Sequence, residues 1–479
     1  MTKEPGTTEP GTTGPGTTGP EMTEPGTTPP DCIEPGTTRP DSTGQRSGVR
    51  AIVALGLPAL AVLAAEPLYV LVDTAVVGHL GRVPLAALAL GGTVLSLATM
   101  LGSFLAYGTT GRAARLYGAG RRADAVREGV QASWLALALG LAFVVVVQVT
   151  VRPLLGVLAG GGADAAAVRD AAETWLRVAC LGAPGILLSL AGNGWMRGVQ
   201  DTSRPFRYVL GGNLLSAALG PLLVYPAGLG LVGSALANVA AQAVAAGLFV
   251  RALRREGVSL RPDRTILRQQ LSVGRDLTLR TAAMHACFVS AAAVAARFGV
   301  AQLGAHQIAL QLWFFLALVL DSVAIAAQSL VGAALGAGRV GTARDVARTV
   351  AWLGGGLGVV AASALLAGRH AIPSLFTSAP DVLAQAAVAW PWFALMQPVA
   401  GVVFALDGVL IGAGDVRFMR DITLASTLGG FLPMVWIAYA LDLGLGGVWA
   451  GLMLFLVIRL VGMTVRVARG RWASEGAHR

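Results

Sequence analysis

Charge is missing from this chain over stretches long enough to cross a membrane. Residues 83–111 hold no charged side chain over 29 positions, 129–151 none over 23, and 349–368 and 422–441 none over 20 each. Residues 208–250 run 43 positions uncharged, broken only by Tyr225-Pro226-Ala227-Gly228, which reads as two helices and a tight turn. A membrane-spanning helix takes about 20 apolar residues. Hydrophobic residues make up 54% of the 479 and charged residues only 13%, against about a quarter charged in a soluble domain. The chain therefore reads as an all-α polytopic membrane protein with twelve helices. Their expected limits are 51–77, 84–108, 127–151, 166–197, 206–226, 229–251, 273–297, 303–333, 344–368, 381–412, 418–440 and 444–467.

The formal net charge of +10 comes from 36 basic residues, of which Lys3 is the only lysine. The arginines cluster between apolar runs rather than on one face, which excludes a nucleic-acid partner and suits the cytoplasmic loops of a protein embedded in a lipid bilayer. Arg112, Arg115, Arg121, Arg122 and Arg127 follow the second helix, and Arg197, Arg204 and Arg207 the fourth. Arg251, Arg254, Arg255, Arg261, Arg264 and Arg268 follow the sixth, Arg339, Arg344 and Arg348 the eighth, and Arg417 and Arg420 the tenth. Loops on the other side show little beyond Arg82, Arg152 and Arg369. This asymmetry places both termini in the cytoplasm of a cell-membrane protein, and the near-absence of lysine suggests a GC-rich bacterial genome. Cys32, Cys180 and Cys287 and the five histidines are scattered. No metal site, disulfide framework, cofactor motif or nucleophile cluster follows, so an enzyme is not expected.

Residues 1–48 repeat Pro-Gly-Thr-Thr at 5–8, 10–13, 15–18, 25–28 and 35–38 and read as a disordered tail. Beyond it the chain repeats itself. Gly118-Ala119-Gly120-Arg121 returns as Gly336-Ala337-Gly338-Arg339, an offset of 218. Gly228-Leu229-Gly230 returns as Gly444-Leu445-Gly446, an offset of 216, and Asn193-Gly194 with Gly198 to Asp201 returns as Asp407-Gly408 with Gly412 to Asp415, an offset of 214. Three matches in one order imply two parallel six-helix repeats, or lobes: 50–252 and 272–467, joined by a cytoplasmic linker at 253–271 and followed by a tail at 468–479. An even-numbered repeat keeps its orientation across the membrane, and two such lobes can rock around a cavity between them. That architecture points to a transporter.

An ionisable side chain within the membrane is a functional candidate by default. Asp73 lies in the outer half of the first helix, with Glu66 seven residues earlier on the same helical face. Two such carboxyls facing one cavity could exchange a proton for an organic cation, which is antiport; the plainer reading is an acid bonded to a neighbouring helix. Asn193, Ser216 and Asn238 could line the same cavity or simply bond between helices. In the second lobe Asp321 interrupts the eighth helix, Asp407 occupies the position equivalent to Asn193, and Arg280 lies in the seventh helix. A salt bridge between Asp321 and Arg280 explains those two as well as a coupling site does. Asp201 and Asp415 read as loop-structuring residues beside arginine. Pro58, Pro67, Pro184, Pro391 and Pro398 are points where helices can bend.

Val72-Asp73-Thr74-Ala75-Val76-Val77-Gly78-His79-Leu80-Gly81, Gly194-Trp195-Met196-Arg197-Gly198-Val199-Gln200-Asp201, Ala305-His306-Gln307-Ile308 and Asp407-Gly408-Val409-Leu410-Ile411-Gly412-Ala413-Gly414-Asp415 resemble signatures of the multidrug and toxic compound extrusion (MATE) family. The nearer likeness is to its DNA-damage-inducible-protein-F branch, over about residues 50–467. The resemblance implies a twelve-helix, two-lobed antiporter, functional as a monomer, that expels drug-like compounds, often cations, against protons or sodium by alternating access. It maps a protonation and substrate site onto Asp73, with Tyr69 and Asn193 beside it. Relatives often carry a second acid in the fifth helix with an Asn one turn earlier; here Gly220 and Ser216 stand there. That departure favours protons over sodium. A flippase for a lipid-linked or polar precursor is the alternative, and it calls for cavity-lining cations that the first-lobe helices nearly lack.

Overall fold

The computed structural model describes residues 44–158 and 164–473, and the repeat tail at 1–43 lies outside the described residues. Among the described residues, twelve helices are long and apolar enough to span a membrane: α1 (Gly44–Gly78), α2 (Arg82–Gly118), α3 (Arg122–Leu158), α4 (Ala165–Gly198), α5 (Ser203–Val224), α6 (Gly230–Arg255), α7 (Arg264–Phe298), α8 (Val300–Gly336), α9 (Val340–Ala367), α10 (Pro380–Gly412), α11 (Val416–Ala440) and α12 (Gly444–Ala468). A one-turn helix, Ala371–Ser374, lies between α9 and α10, and the described residues contain no strand. Two of the long helices are interrupted. A 3₁₀ turn at Cys180–Gly182 precedes Pro184 in α4, and a π-helical turn at Thr427–Phe431 precedes Pro433 in α11. Proline lacks the N–H that the preceding turn's carbonyl requires, so the hydrogen-bond register shifts there.

The two halves of the chain pack alike. In the first, α4 lies against α2 and α3, and α5 against α6; in the second, α10 lies against α8 and α9, and α12 against the π-helical turn and last segment of α11. The turns agree as well. Left-handed backbone occurs at Gly120 and Gly338, at Gln200 and Gly414, and at Gly228 and Gly444, each pair separated by an offset of the sequence repeat. Gln200 holds φ 63° where its counterpart is glycine. Within the halves, small residues let helices approach closely. A Cβ at Gly140 would meet Pro184, and one at Gly354 would lie 2.3 Å from the carbonyl oxygen of Gly401. Lipid offers apolar surface no worse than protein does, so this dispersion-dense packing, rather than burial from water, joins membrane helices.

The halves meet at one end of the helices, the end that carries the linker. Arg112 of α2 pairs with Glu128 of α3 at 2.7 Å and also donates to Gln269 of α7, while Gln270 of α7 donates to Glu128 at 2.8 Å. Arg115 donates to the carbonyl of Ala413 after α10, and Ser329 of α8 to the carbonyl of Arg197. Gln131 and Trp134 of α3 hold the linker carbonyls of Arg261 and Leu260. A cavity of about 80 Å³ lined by Arg112, Arg115, Glu128 and Gln269 remains among them, well below the roughly 300 Å³ at which small-molecule pockets begin. Beside it α2 and α8 touch backbone to backbone. A Cβ at Gly118 would lie 1.9 Å from the carbonyl oxygen of Ala333, and one at Gly336 equally close to that of Arg115. A side chain there must push the halves apart. For Gly118→Val we expect about 1–3 kcal/mol against the closed linker end, as for other overpacked cores. Spin labels at Ala119 and Ala337, in a background without other cysteines, should then show a longer mean distance; an unchanged distribution refutes the steric argument.

Several expected boundaries move. The linker shortens from 253–271 to residues 256–263, because α6 continues to Arg255 and α7 begins at Arg264. The first helix begins at Gly44, inside the expected tail, and Trp472 of the expected C-terminal tail is buried, donating to the carbonyl of Val467. Arg112, Arg115 and Arg197, expected in loops, sit in the last turns of α2 and α4, and Arg115 and Arg197 are buried. Apolar-run counting ends a helix at its first charge. These helices continue past it, and in α2 the Arg112 and Arg115 guanidinium groups find acceptors in Glu128, Gln269 and the carbonyl of Ala413.

Candidate functional site

The candidate residues fall into two groups, one in each half. In the first, α1 carries Asp73 and Tyr69 one turn apart, and both face α6. Ser234 donates to Asp73 Oδ1 at 2.8 Å, and Asn238 Nδ2 donates to the Tyr69 hydroxyl at 3.1 Å. Ser234 and Asn238 are four residues apart, so one face of α6 answers one face of α1. The end of α1 is fixed by Tyr225, whose hydroxyl donates to the carbonyl of Val76 at 2.6 Å. Trp175 of α4 approaches Ser234 from the other side, with Nε1 at 3.4 Å from its hydroxyl. Asp73 is half-buried, and Ser234 is its one hydrogen-bond donor.

Elsewhere on the helices of this half, buried polar atoms have nothing to bond. The buried Oδ1 of Asn193 and of Asn238 and the hydroxyls of Ser189 and Ser216 have no hydrogen-bond partner. A buried polar group without a partner costs about 1–3 kcal/mol. Glu66, two turns before Asp73, is exposed and bonds to neither Asp73 nor any other group. The structure therefore does not assemble the two carboxyls into one hydrogen-bonded pair. Gly220, where relatives often carry an acid, is buried, yet a Cβ there would meet no atom within 4 Å.

The second group crosses the middle of the other half. Asp407 of α10 accepts from Arg459 of α12 at 2.7 and 2.8 Å and from Arg280 of α7 at 2.7 Å. Asp321 of α8 accepts from the Tyr107 hydroxyl of α2 at 2.8 Å, and the amide of Gln328 donates to the Tyr107 carbonyl. The expected Asp321–Arg280 bridge is thus replaced: Arg280 bonds Asp407, and Asp321 bonds across the halves to α2. Arg280 and Asp407 come together, as do Tyr69 and Asn238, while Asp73 and Asp321 belong to different groups. Asp201 and Asp415 are ion-paired near the linker end with Arg204 and Arg466, as loop-structuring residues should be.

Sequence reasoning missed Arg459, Tyr107 and Glu128. Arg459 lies fifteen residues into α12 with no charged residue before it in that helix and is fully buried, so the rule that selected Asp73 also selects it. Tyr107 and Glu128 carried no comparable signal. The two halves also differ in their chemistry. At the offset that relates Gly81 to Gly299, Asp73 answers to Ala291 and Arg280 to Val62; at the offset that relates Gly228 to Gly444, Arg459 answers to Ala243. The repeat fixes the scaffold, and each half carries its own functional side chains.

The family model MatE matches residues 58–222 and 278–437, which is most of both halves. The chain belongs to the MATE family. It is 34% identical over 423 residues to Protein DETOXIFICATION 44, chloroplastic, of Arabidopsis thaliana, covering 86% of this chain and 80% of that one. It is 31% identical over 441 residues to DNA damage-inducible protein F of Escherichia coli K12, covering 89% and 94%. Among solved structures, a MATE transporter in the bent conformation superimposes with a TM-score of 0.81 at 24% identity, over 90% of this chain and 97% of that one. An outward-facing multidrug resistance MATE transporter gives 0.77 at 24% identity, over 88% and 96%. The protein is accordingly a multi-pass membrane transporter of the multidrug and toxic compound efflux kind, not an enzyme, and its substrates are small molecules. The twelve-helix, two-half arrangement expected from the sequence is the MATE fold.

Proposed function

We propose that this MATE protein exports organic compounds, many of them cations, in exchange for protons, and that Asp73 is the group on which proton and substrate compete. The observation that carries this reading is the half-buried Asp73 carboxylate, held by Ser234 on one oxygen, with Tyr69 one turn earlier bonded to Asn238 on the same face of α6. An ionised carboxylate in low dielectric attracts a cation and loses that attraction on protonation, so the two cannot be held together. Glu66, exposed and unpaired, supplies a second acid on the same helix.

The closed linker end supports alternating access. The arginines gathered there favour that end as cytoplasmic, with both termini inside. On this reading the described conformation opens away from the cytoplasm, and export requires the seal between α2 and α8 to part so that substrate can enter. The test is a liposome assay with purified protein. A pH gradient alone should drive efflux of rhodamine B ethyl ester, an organic cation, and sodium should add nothing. Efflux that needs sodium refutes proton coupling, and no efflux under either gradient refutes cation export.

Gly220 supplies a sharper comparison. The space beside it admits a side chain, so Gly220→Asp together with Ser216→Asn restores the acid and amide that relatives often carry. We expect this double variant to acquire sodium-stimulated efflux. Efflux that stays indifferent to sodium removes Gly220 as the reason for proton coupling.

A further inference from the structure

The linker and the helix ends that flank it carry more positive charge than their own acids can neutralise. Residues 251–268 hold six arginines, Arg251, Arg254, Arg255, Arg261, Arg264 and Arg268, against two acids, Glu256 and Asp263. Both acids are engaged elsewhere. Glu256 pairs with Arg122 at 3.0 Å and with Arg204 at 3.5 Å, and Asp263 caps α7, accepting from the backbone N–H groups of Thr265 and Ile266. All six arginines are exposed, and among the described residues none of the six forms an ion pair. Elsewhere at this end Arg112, Arg127, Arg420 and Arg466 each find a carboxylate.

The helical spacing gathers the unmatched charge. Arg251, Arg254 and Arg255 stand three and four residues apart on one face of α6, while Phe249, Ala252 and Leu253 are buried. Arg264 and Arg268 are one turn apart at the start of α7. Between the two helices Gln131 and Trp134 of α3 hold the linker carbonyls of Arg261 and Leu260, which fixes the backbone and leaves the Arg261 side chain outside. Two features set this face at the level of lipid headgroups. Exposed apolar side chains begin beside it: Val244 lies two turns before Arg251 on the same face of α6, and Leu271 lies one turn after Arg268 on α7. Trp134, whose indole binds the linker, is itself exposed, and tryptophan collects where a membrane meets water.

We propose that this arginine face binds the phosphates of anionic phospholipids in the leaflet that meets the linker end. A guanidinium grips a phosphate through two parallel hydrogen bonds, and a cluster of basic residues beside a membrane-spanning helix attracts anionic lipid. The apolar edge at Val244 and Leu271 receives the acyl chains, which a free anion lacks. Headgroups held on both sides of the linker tie the end of α6 to the start of α7, one helix from each half, so bound lipid stabilises the folded protein. The proposal is independent of what is exported and of the coupling ion.

Purified full-length protein in a nonionic detergent, titrated with dioleoylphosphatidylglycerol or with dioleoylphosphatidylcholine, tests this through the unfolding temperature. The wild type should reach half of its thermal shift at about a tenfold lower concentration of phosphatidylglycerol, the scale of one or two arginine–headgroup contacts. Arg254→Gln with Arg264→Gln and Arg268→Gln should bring the two lipids level, and Arg254→Lys with Arg264→Lys and Arg268→Lys should keep part of the preference. The same charge removed from the α8–α9 turn and the start of α9, as Arg339→Gln with Arg344→Gln and Arg348→Gln, should leave the preference intact. A wild type that responds equally to both lipids, or a preference that survives the glutamine substitutions at Arg254, Arg264 and Arg268, overturns the proposal. So does an equal loss from the α8–α9 set, which would make the preference a matter of net charge. Inorganic phosphate that reproduces the phosphatidylglycerol shift overturns it as well, since the face would then read a free anion rather than a lipid.

Discussion

Replacing Asp73 by Asn is expected to leave a folded transporter that no longer exports against a pH gradient. Asparagine has nearly the same shape, and its Oδ1 can accept the 2.8 Å hydrogen bond from Ser234. Stability should therefore change by less than about 1 kcal/mol, the net value of one ordinary hydrogen bond. What is lost is ionisation. A neutral amide neither holds an organic cation nor releases it on protonation, so efflux should fall to the level of protein-free liposomes. Ser234→Ala should act in the same direction but less strongly, since it removes one bond to the carboxylate and leaves its charge. Both are read in the liposome assay under an imposed pH gradient, with thermal unfolding in detergent as the control for folding. Wild-type efflux by Asp73→Asn would make Asp73 an acid that merely ties α1 to α6. It would also move the search for the coupling site to Asp321.

The largest effect on stability is expected in the other half. Asp407→Ala strips the acceptor from Arg459, which is fully buried, and from Arg280. Removing one partner of a buried ion pair costs about 3–5 kcal/mol, because the other charge stays behind uncompensated. The unfolding temperature in detergent should drop far more for Asp407→Ala than for Asp73→Asn. Replacing the whole group, as Asp407→Leu with Arg459→Met and Arg280→Met, should recover most of the loss, since well-packed apolar side chains of similar volume cost little where the charges stood. A single Asp407→Ala variant as stable as wild type would show that water, rather than the carboxylate, satisfies these guanidinium groups. The pair of measurements separates two kinds of membrane acid. Asp73 is half-buried and accepts one hydrogen bond, and Asp407 is clamped from two sides by arginines.

The scaffold was legible in the sequence because its causes are local. A long uncharged run must be a helix if it is to cross lipid, and matching glycine turns at nearly constant offsets, such as Gly120 with Gly338, reveal a duplicated six-helix unit. Helix ends were less legible. Arg115 and Arg197 look like loop residues until their partners are known, and those partners lie hundreds of residues away or on another helix. The candidate site divides in the same way. Asp73 and Asn238 stood out as polar residues in apolar helices, and Tyr69 came from the family resemblance, but that Asn238 meets Tyr69 while Ser234 meets Asp73 depends on the rotation of α1 against α6. Rotation about a helix axis leaves almost no trace in a run that is apolar all round. The same ignorance paired Arg280 with Asp321, when the turn of α7 delivers it to Asp407.

The glycine contacts between α2 and α8 have an electrical consequence. With Gly118 against Ala333 and Gly336 against Arg115, α2 and α8 meet backbone on backbone, with no gap for a hydrated ion between those two helices. Water in the cleft conducts, and this thin partition does not, so the membrane voltage falls mainly across the partition rather than over the full thickness of the bilayer. A unit charge carried past it gains or loses about 2.3 kcal/mol for each 100 mV. The step that carries charge through that narrow field is the parting and resealing of α2 and α8. Turnover should therefore sense membrane voltage chiefly at that step, and hardly at all when a proton or a drug settles onto Asp73.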